Sequence, residues 1–385
     1  MTQEQAISRF LDAVQHGQTG ITVSLETDIA LKEPEWMVGA AWPGLHENQI
    51  LNKKDREGRV VFRNTYNLAF GRQSVRKLPA PMTLLENLMA LPSALPVRIV
   101  EIPRSDLDEG ALLYQMAQAQ PLRSEADCYA LLKKAAAELV GETDADALVQ
   151  AWHLLHVSGM HTAHTGVNLI IQGVLHQRWI NRPFVLRPED LTEEEKKAWR
   201  PFQLQALSET EADDLMNLQG IEVIRGFTAS FLATQSLQMG RNALRGAVAN
   251  LRRLVKTEAV ERTIRRLEIL DCLYVCCQNA IRFQELRDRT DTSEERIVRR
   301  ELRWPTQNDR RAMEFQQITR AEIDNCYRLA ELLEGRMEEL MLCTTPEKED
   351  IFVLSTELPS QLRRKAEIML DHYGDAALFY ETNNV

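Results

Sequence analysis

Long apolar runs are missing from this sequence. No stretch approaches the roughly 18 residues that a helix needs to span a bilayer. The opening MTQEQAISRFLDAVQHG lacks the lysine-then-apolar pattern of a secretory leader. It reads instead as an amphipathic helix with Ile7, Phe10, Leu11 and Val14 on one side. A cytoplasmic protein with no membrane contact is expected. Cysteine is sparse and unpatterned: Cys128, Cys272, Cys276, Cys277, Cys326 and Cys343 form no C-x-x-C pair and no disulfide-framework spacing. That predicts reduced thiols packed as small hydrophobes, not crosslinks or zinc ligands.

Catalytic and cofactor signatures are missing too. The chain has no G-x-x-x-x-G-K-[ST], no G-x-G-x-x-G, no G-x-S-x-G, and no H-x-E with a downstream C-x-x-C. The phosphate cradle, dinucleotide turn, nucleophile elbow and zinc-deaminase site that those spacings build are therefore not expected. No catalytic residue and no cofactor is read from the sequence. Internal repeats and low-complexity segments are absent as well.

What is present is the composition of a packed globular protein. Hydrophobic residues make up 44% and charged residues 26% of 385 positions, enough for two or three domains. The predicted fold class is mainly α with a small α+β N-terminal part, a short-helix bundle, and then long antiparallel helices. Residues 1–104 are read as the α+β domain, because ITVSL, RVVF and VRIVEI have the β-branched content of short strands around one helix, TLLENLMAL. Residues 105–220 are read as the short-helix bundle. Ser124 with Asp127, Thr143 with Asp146, Thr192 with Glu195, and Ser208 with Glu211 have N-capping spacing, while Gly141 and Gly159 stand where helices would end. Residues 221–345 form the helical arm. Leu237, Leu244 and Leu251 recur at seven-residue intervals, as do Val260, Leu267, Tyr274 and Ile281, and Cys326, Leu333 and Leu340. That interval keeps one seam of a long helix against a partner. Gly240 and Gly246 are placed to bend the first of these helices. Residues 346–385 are read as a strand-helix-strand tail.

Charge is unevenly distributed. The net charge is −10, yet residues 49–80 and residues 241–311 each sum to +6, leaving −22 on the rest. The first window places Lys53, Lys54, Arg56, Arg59, Arg63, Arg72, Arg76 and Lys77 among Phe62, Tyr66 and Phe70. Cations neutralise phosphates and aromatic faces stack on bases, so this window, Tyr66 included, is a candidate nucleic-acid contact. In the second window, Arg252, Arg253, Arg265 and Arg266 come in adjacent pairs whose forks suit phosphate or carboxylate. Against that, Glu258 with Arg262 and Glu261 with Arg265 have the i,i+4 spacing of self-satisfied helix pairs.

Five of the eight histidines lie within residues 152–176. His153 with His156 and His161 with His164 are i,i+3 pairs, and two such pairs could converge on one metal. No Asp or Glu lies between Ala147 and Phe184 to serve as ligand or orienting partner, and neither pair carries the H-E-x-x-H glutamate. A packing role is the expectation, and no metal is predicted.

Taken together, these features predict a non-enzymatic subunit of an intracellular multi-protein assembly. Its long helices would dock other protein subunits, and its basic faces would contact nucleic acid or an acidic partner. One alternative is a metal-dependent hydrolase or nuclease using His153, His156, His161 and His164. The other is a protein-binding adaptor with no nucleic-acid contact.

Overall fold

The computed structural model describes residues 50–54, 60–64, 75, 77–90, 98–100, 105–120, 122–163, 180–186, 190–199, 227–290, 307–340 and 356–381. These residues are mainly α-helical. In chain order the helices are α1 Pro81–Ala90, α2 Glu109–Ala119, α3 Glu125–Val140, α4 Glu142–Ala163, α5 Glu193–Trp199, α6 Phe227–Leu251, α7 Glu258–Thr290, α8 Gln307–Leu333, α9 Leu358–Asp371 and α10 Leu378–Glu381. Three short strands, β1 Ile50–Lys54, β2 Val60–Asn64 and β3 Arg98–Val100, pair in the order β1-β2-β3. β1 runs antiparallel to β2, and β2 parallel to β3. The rest of the α+β domain expected over 1–104 falls largely outside the described residues, as do the Ile21–Leu25 strand and the Ser208 cap.

Local chemistry sets the helix ends. At α3, Ser124 Oγ accepts from the Asp127 N–H at 3.2 Å, while Asp127 Oδ2 accepts from the Ser124 hydroxyl at 2.9 Å and the Arg123 N–H at 3.0 Å. Those hydrogen bonds, Ser124 first and then Arg123, hold the Asp127 carboxyl below its ordinary range. At α5 the exchange is reciprocal: Glu195 N–H donates to Thr192 Oγ1 at 3.3 Å, and Glu195 Oε2 accepts from the Thr192 N–H at 2.8 Å. Gly141, at φ 87°, ends α3 with its N–H on the Ala137 carbonyl at 2.9 Å. Few side chains tolerate that backbone, so glycine there permits an immediate turn into α4.

The three heptad stripes are buried. Leu237, Leu244, Leu251, Val260, Leu267, Tyr274, Ile281, Cys326 and Leu333 are all at most 2% exposed. Leu340 is buried too, but it lies beyond the end of α8 and bridges to Val75, so the third stripe stops at Leu333. Polar contacts give the directions. Gln238 meets Gln278 while Arg252 meets Glu268, so α6 and α7 are antiparallel. Cys272 pairs with Asn325 and Asn279 with Glu322, so α7 and α8 are antiparallel as well. Helix α4 lies along α6, where a Cβ on Gly246 would stand 3.0 Å from Leu154 Cδ1. One contiguous hydrophobic core takes in Leu131 and Trp152 from the shorter helices, Leu244, Tyr274 and Phe315 from the long ones, and Met369 from α9. At about 25 cal/mol per Å² of apolar area removed from water, that shared core is the main favourable contribution to the fold.

Three sequence expectations are corrected. Gly159 does not end a helix: α4 continues through it to Ala163, and Gly159 is buried. Apolar packing of Leu148, Trp152 and Leu155 on one face outweighs the conformational cost of one glycine. Thr143 does not cap α4, because Gly141 lets that helix begin at Glu142, two residues before the start that a Thr143 cap implies. Helix α6 runs unbroken through Gly240 and Gly246 to Leu251, and the lack of a side chain at Gly246 admits Leu154. The second tail strand is helical instead. Tyr373–Ala377 forms a 3₁₀ turn that leads into α10. Ala376 and Phe379, three apart, are buried, and Phe379 packs on Phe315 at 6.2 Å, a helical spacing and not a strand alternation. Among the described residues, no helix is long and apolar enough to cross a membrane.

Candidate functional site

The nucleic-acid candidates fall in different environments. Lys53 and Lys54 lie on β1 and Arg63 on β2, while Arg56, Arg59, Tyr66, Arg72 and Arg76 lie outside the described residues. Lys77, at φ 57°, faces Asp106 at 3.6 Å. Arg253 is exposed and bonds its neighbour Asn250 at 3.3 Å. Arg265 does not pair with Glu261 as its spacing suggests; it turns to Glu339 at 3.7 Å. Arg266 is 4% exposed and ion-paired to both Asp106 and Glu339, themselves nearly buried. It joins α7 to the segment before α2 and to the turn after α8. Reaching a phosphate would break two buried pairs, so Arg266 serves the fold.

The histidines separate likewise. His156 is held on α4 between the Thr83 hydroxyl at 3.2 Å from Nδ1 and Glu86 at 3.3 Å from Nε2, which ties α4 to α1. His153 is exposed, His161 is half-buried, and His164 lies outside the described residues. Among the described residues, no group of three or more His, Cys, Asp or Glu side chains could hold a metal ion.

One polar centre is closed. Lys365, on α9, is wholly buried; its ammonium donates to the Ile180 carbonyl at 2.8 Å, to Glu322, and to Cys276 Sγ at 3.5 Å. It also lies 4.7 Å from the centre of the Phe184 ring. Glu322 accepts further from Asn279 Nδ2 at 2.9 Å and Cys326 Sγ at 3.8 Å. Burial opposes the charge on Lys365, but the Glu322 carboxylate against it outweighs that and raises its pKa. All three ammonium donors are used, as in a structural pair. Around it, burial pushes the Cys272 thiol up to about 12 and raises the Cys276, Cys277 and Cys326 thiols as well. Thiols so held are poor nucleophiles.

The other polar centre is open. Leu244, Arg245, Val248 and Arg252 of α6, Leu267, Glu268 and Asp271 of α7, and Arg328 of α8 line a groove of about 190 Å³. Helical spacing builds it. Leu244, Val248 and Arg252 recur every four residues on one face of α6, and Leu267 and Asp271 do so on α7. The apolar members make the floor and the guanidinium groups the walls. Asp271 is fully engaged, its Oδ1 accepting from Arg241 Nε at 2.9 Å and its Oδ2 from Arg245 Nε at 3.2 Å. Arg241 also donates to Gln278 at 2.6 Å. Glu268 accepts from Arg252.

Arg245, Asp271, Arg328, Glu322 and Lys365 were not singled out in the sequence. A signal did exist for the closed centre. Leu358, Leu362, Lys365, Ala366 and Met369 share one face of α9, so the phase of the helix puts Lys365 on the apolar stripe. For the groove, no sequence pattern links Arg328 to Arg245 across three helices. Comparison with known proteins finds no match among family models, curated proteins or solved structures.

Proposed function

We propose that this chain is a non-enzymatic subunit of an intracellular multi-protein assembly that docks an acidic protein partner on its α6–α7–α8 face. The observation that carries this reading is the open, arginine-walled groove, whose apolar floor and charged rim have the character of a protein contact. An acidic protein suits it better than a nucleic-acid strand. The groove is compact, the paired arginines flanking it are partly engaged within the fold, and the net charge of −10 opposes a long polyanion. The five buried cysteines among the described residues form no disulfide, which suits a reducing compartment.

The test is purification of the native protein from its source cells beside an Arg245→Glu, Arg328→Glu variant. A stoichiometric protein partner held by the native chain and lost by the variant supports the reading. A native chain that purifies alone, or a partner retained equally by the variant, overturns it.

A further inference from the structure

We infer that the α6–α7–α8 groove is a carboxylate receptor in which Arg328 is the anchoring residue, and that its ligand is an acidic side chain flanked by an apolar one. This deepens the docking reading and rests on it.

The inference comes from counting donors and acceptors. Each guanidinium offers five N–H donors and accepts nothing. Arg245 commits only Nε, to Asp271, and Arg252 commits one terminal nitrogen, to Glu268. Arg328 makes no hydrogen bond or ion pair with any described residue, although it lines the same groove. The acids facing these forks are largely spent: both Asp271 oxygens are taken, and Glu268 already holds Arg252. The groove therefore has N–H donors in surplus and little acceptor capacity left. Its complement accepts and does not donate, which describes an ionised oxyanion. Arg241, Arg245 and Arg252 already outnumber Asp271 and Glu268, three charges to two, and Arg328 adds a further uncompensated one.

The floor selects among oxyanions. Leu244 and Leu267 are fully buried and Val248 nearly so, so an apolar ligand group seated over them gains chiefly by taking its own surface out of water. A bare inorganic ion gains nothing from that floor. A carboxylate next to a leucine-like side chain uses both parts, and two such side chains suit a groove of about 190 Å³. Arg328 is exposed on α8, so it can reach a ligand without unpacking the core.

The test uses the full chain and four probes in calorimetric titration: acetyl-Leu-Glu-amide, acetyl-Leu-Gln-amide, inorganic phosphate, and a short single-stranded RNA. The glutamate dipeptide is expected to bind in the millimolar range, and the glutamine dipeptide about tenfold more weakly, the worth of roughly one charge-assisted hydrogen bond. R328A is expected to bind the glutamate dipeptide about tenfold more weakly, and R328K to recover part of the loss because lysine keeps the charge without the fork. Equal binding of the two dipeptides, or unchanged binding by R328A, overturns the receptor. Phosphate or RNA binding at the groove more tightly than the glutamate dipeptide, and lost in R328A, overturns the carboxylate assignment. The two readings fail separately. A partner lost from the Arg245→Glu, Arg328→Glu variant while the dipeptides do not discriminate leaves the assembly reading standing without the receptor. A discriminating groove in a chain that purifies alone does the reverse.

Discussion

Glu109 opens α2 with no exposed surface, and its titration links structure to stability in a measurable way. Its Oε2 accepts from the Ser105 hydroxyl, and its Oε1 has no hydrogen-bond partner among the described residues. Burial pushes the carboxyl up from 4.5 to about 7; Ser105 and the Glu109 backbone pull it down, while Asp108 and Asp106 add to the rise. In the unfolded chain the carboxyl loses its proton near its ordinary value. Between the two values the folded state binds more protons than the unfolded state, so stability falls as pH rises. Below about 4.5 both states hold the proton and there is no penalty, and above about 7 both have lost it and the penalty is complete. At 1.36 kcal/mol per pKa unit, the full penalty is about 3 kcal/mol. Glu109→Gln mimics the protonated side chain and removes the titration. Chemical denaturation of both proteins, followed by far-ultraviolet circular dichroism across this range, isolates the effect because other titrating groups cancel in the difference. The variant's relative stability should rise by about 3 kcal/mol from acid to neutral pH and then level off. A difference that stays flat with pH, or one that falls as pH rises, refutes the reasoning.

Two further outcomes follow from the packing. Lys365→Met leaves Glu322 charged and buried without its ammonium and should destabilise by about 3–5 kcal/mol; the Lys365→Met, Glu322→Leu double variant should recover most of this, and a double variant as unstable as the single would show the pair is not the cause. Gly141→Ala meets no atom within 4 Å, so any cost is backbone strain at φ 87°. Thermal melts should show a loss of about 1–3 kcal/mol, and an unchanged midpoint would remove the turn argument.

Local and periodic features were legible in the sequence. The Ser124 and Thr192 caps depend on residues within three positions of each other, so their chemistry is the same in any tertiary setting. The heptad stripes of α6, α7 and α8 were equally readable, since seven-residue spacing puts leucines on one face whatever that face meets. The exclusion of a long apolar membrane helix came from hydropathy alone. What the stripes meet was decided by the fold. Leu154 reaches α6 because Gly246 leaves room for it, a fit between residues 92 positions apart. The same holds for charge. Arg252 and Arg266 read alike along the chain, each in an adjacent arginine pair, yet Arg252 stands exposed at the groove and Arg266 is sealed between Asp106 and Glu339. The chain offers a charge at each position, and the packing of distant helices determines whether that charge meets water, a partner or a buried counter-ion. Lys365 shows both sides: helical phase marks it for the core, but only the arrival of Glu322, Ile180 and Cys276 from other segments makes a buried ammonium stable there.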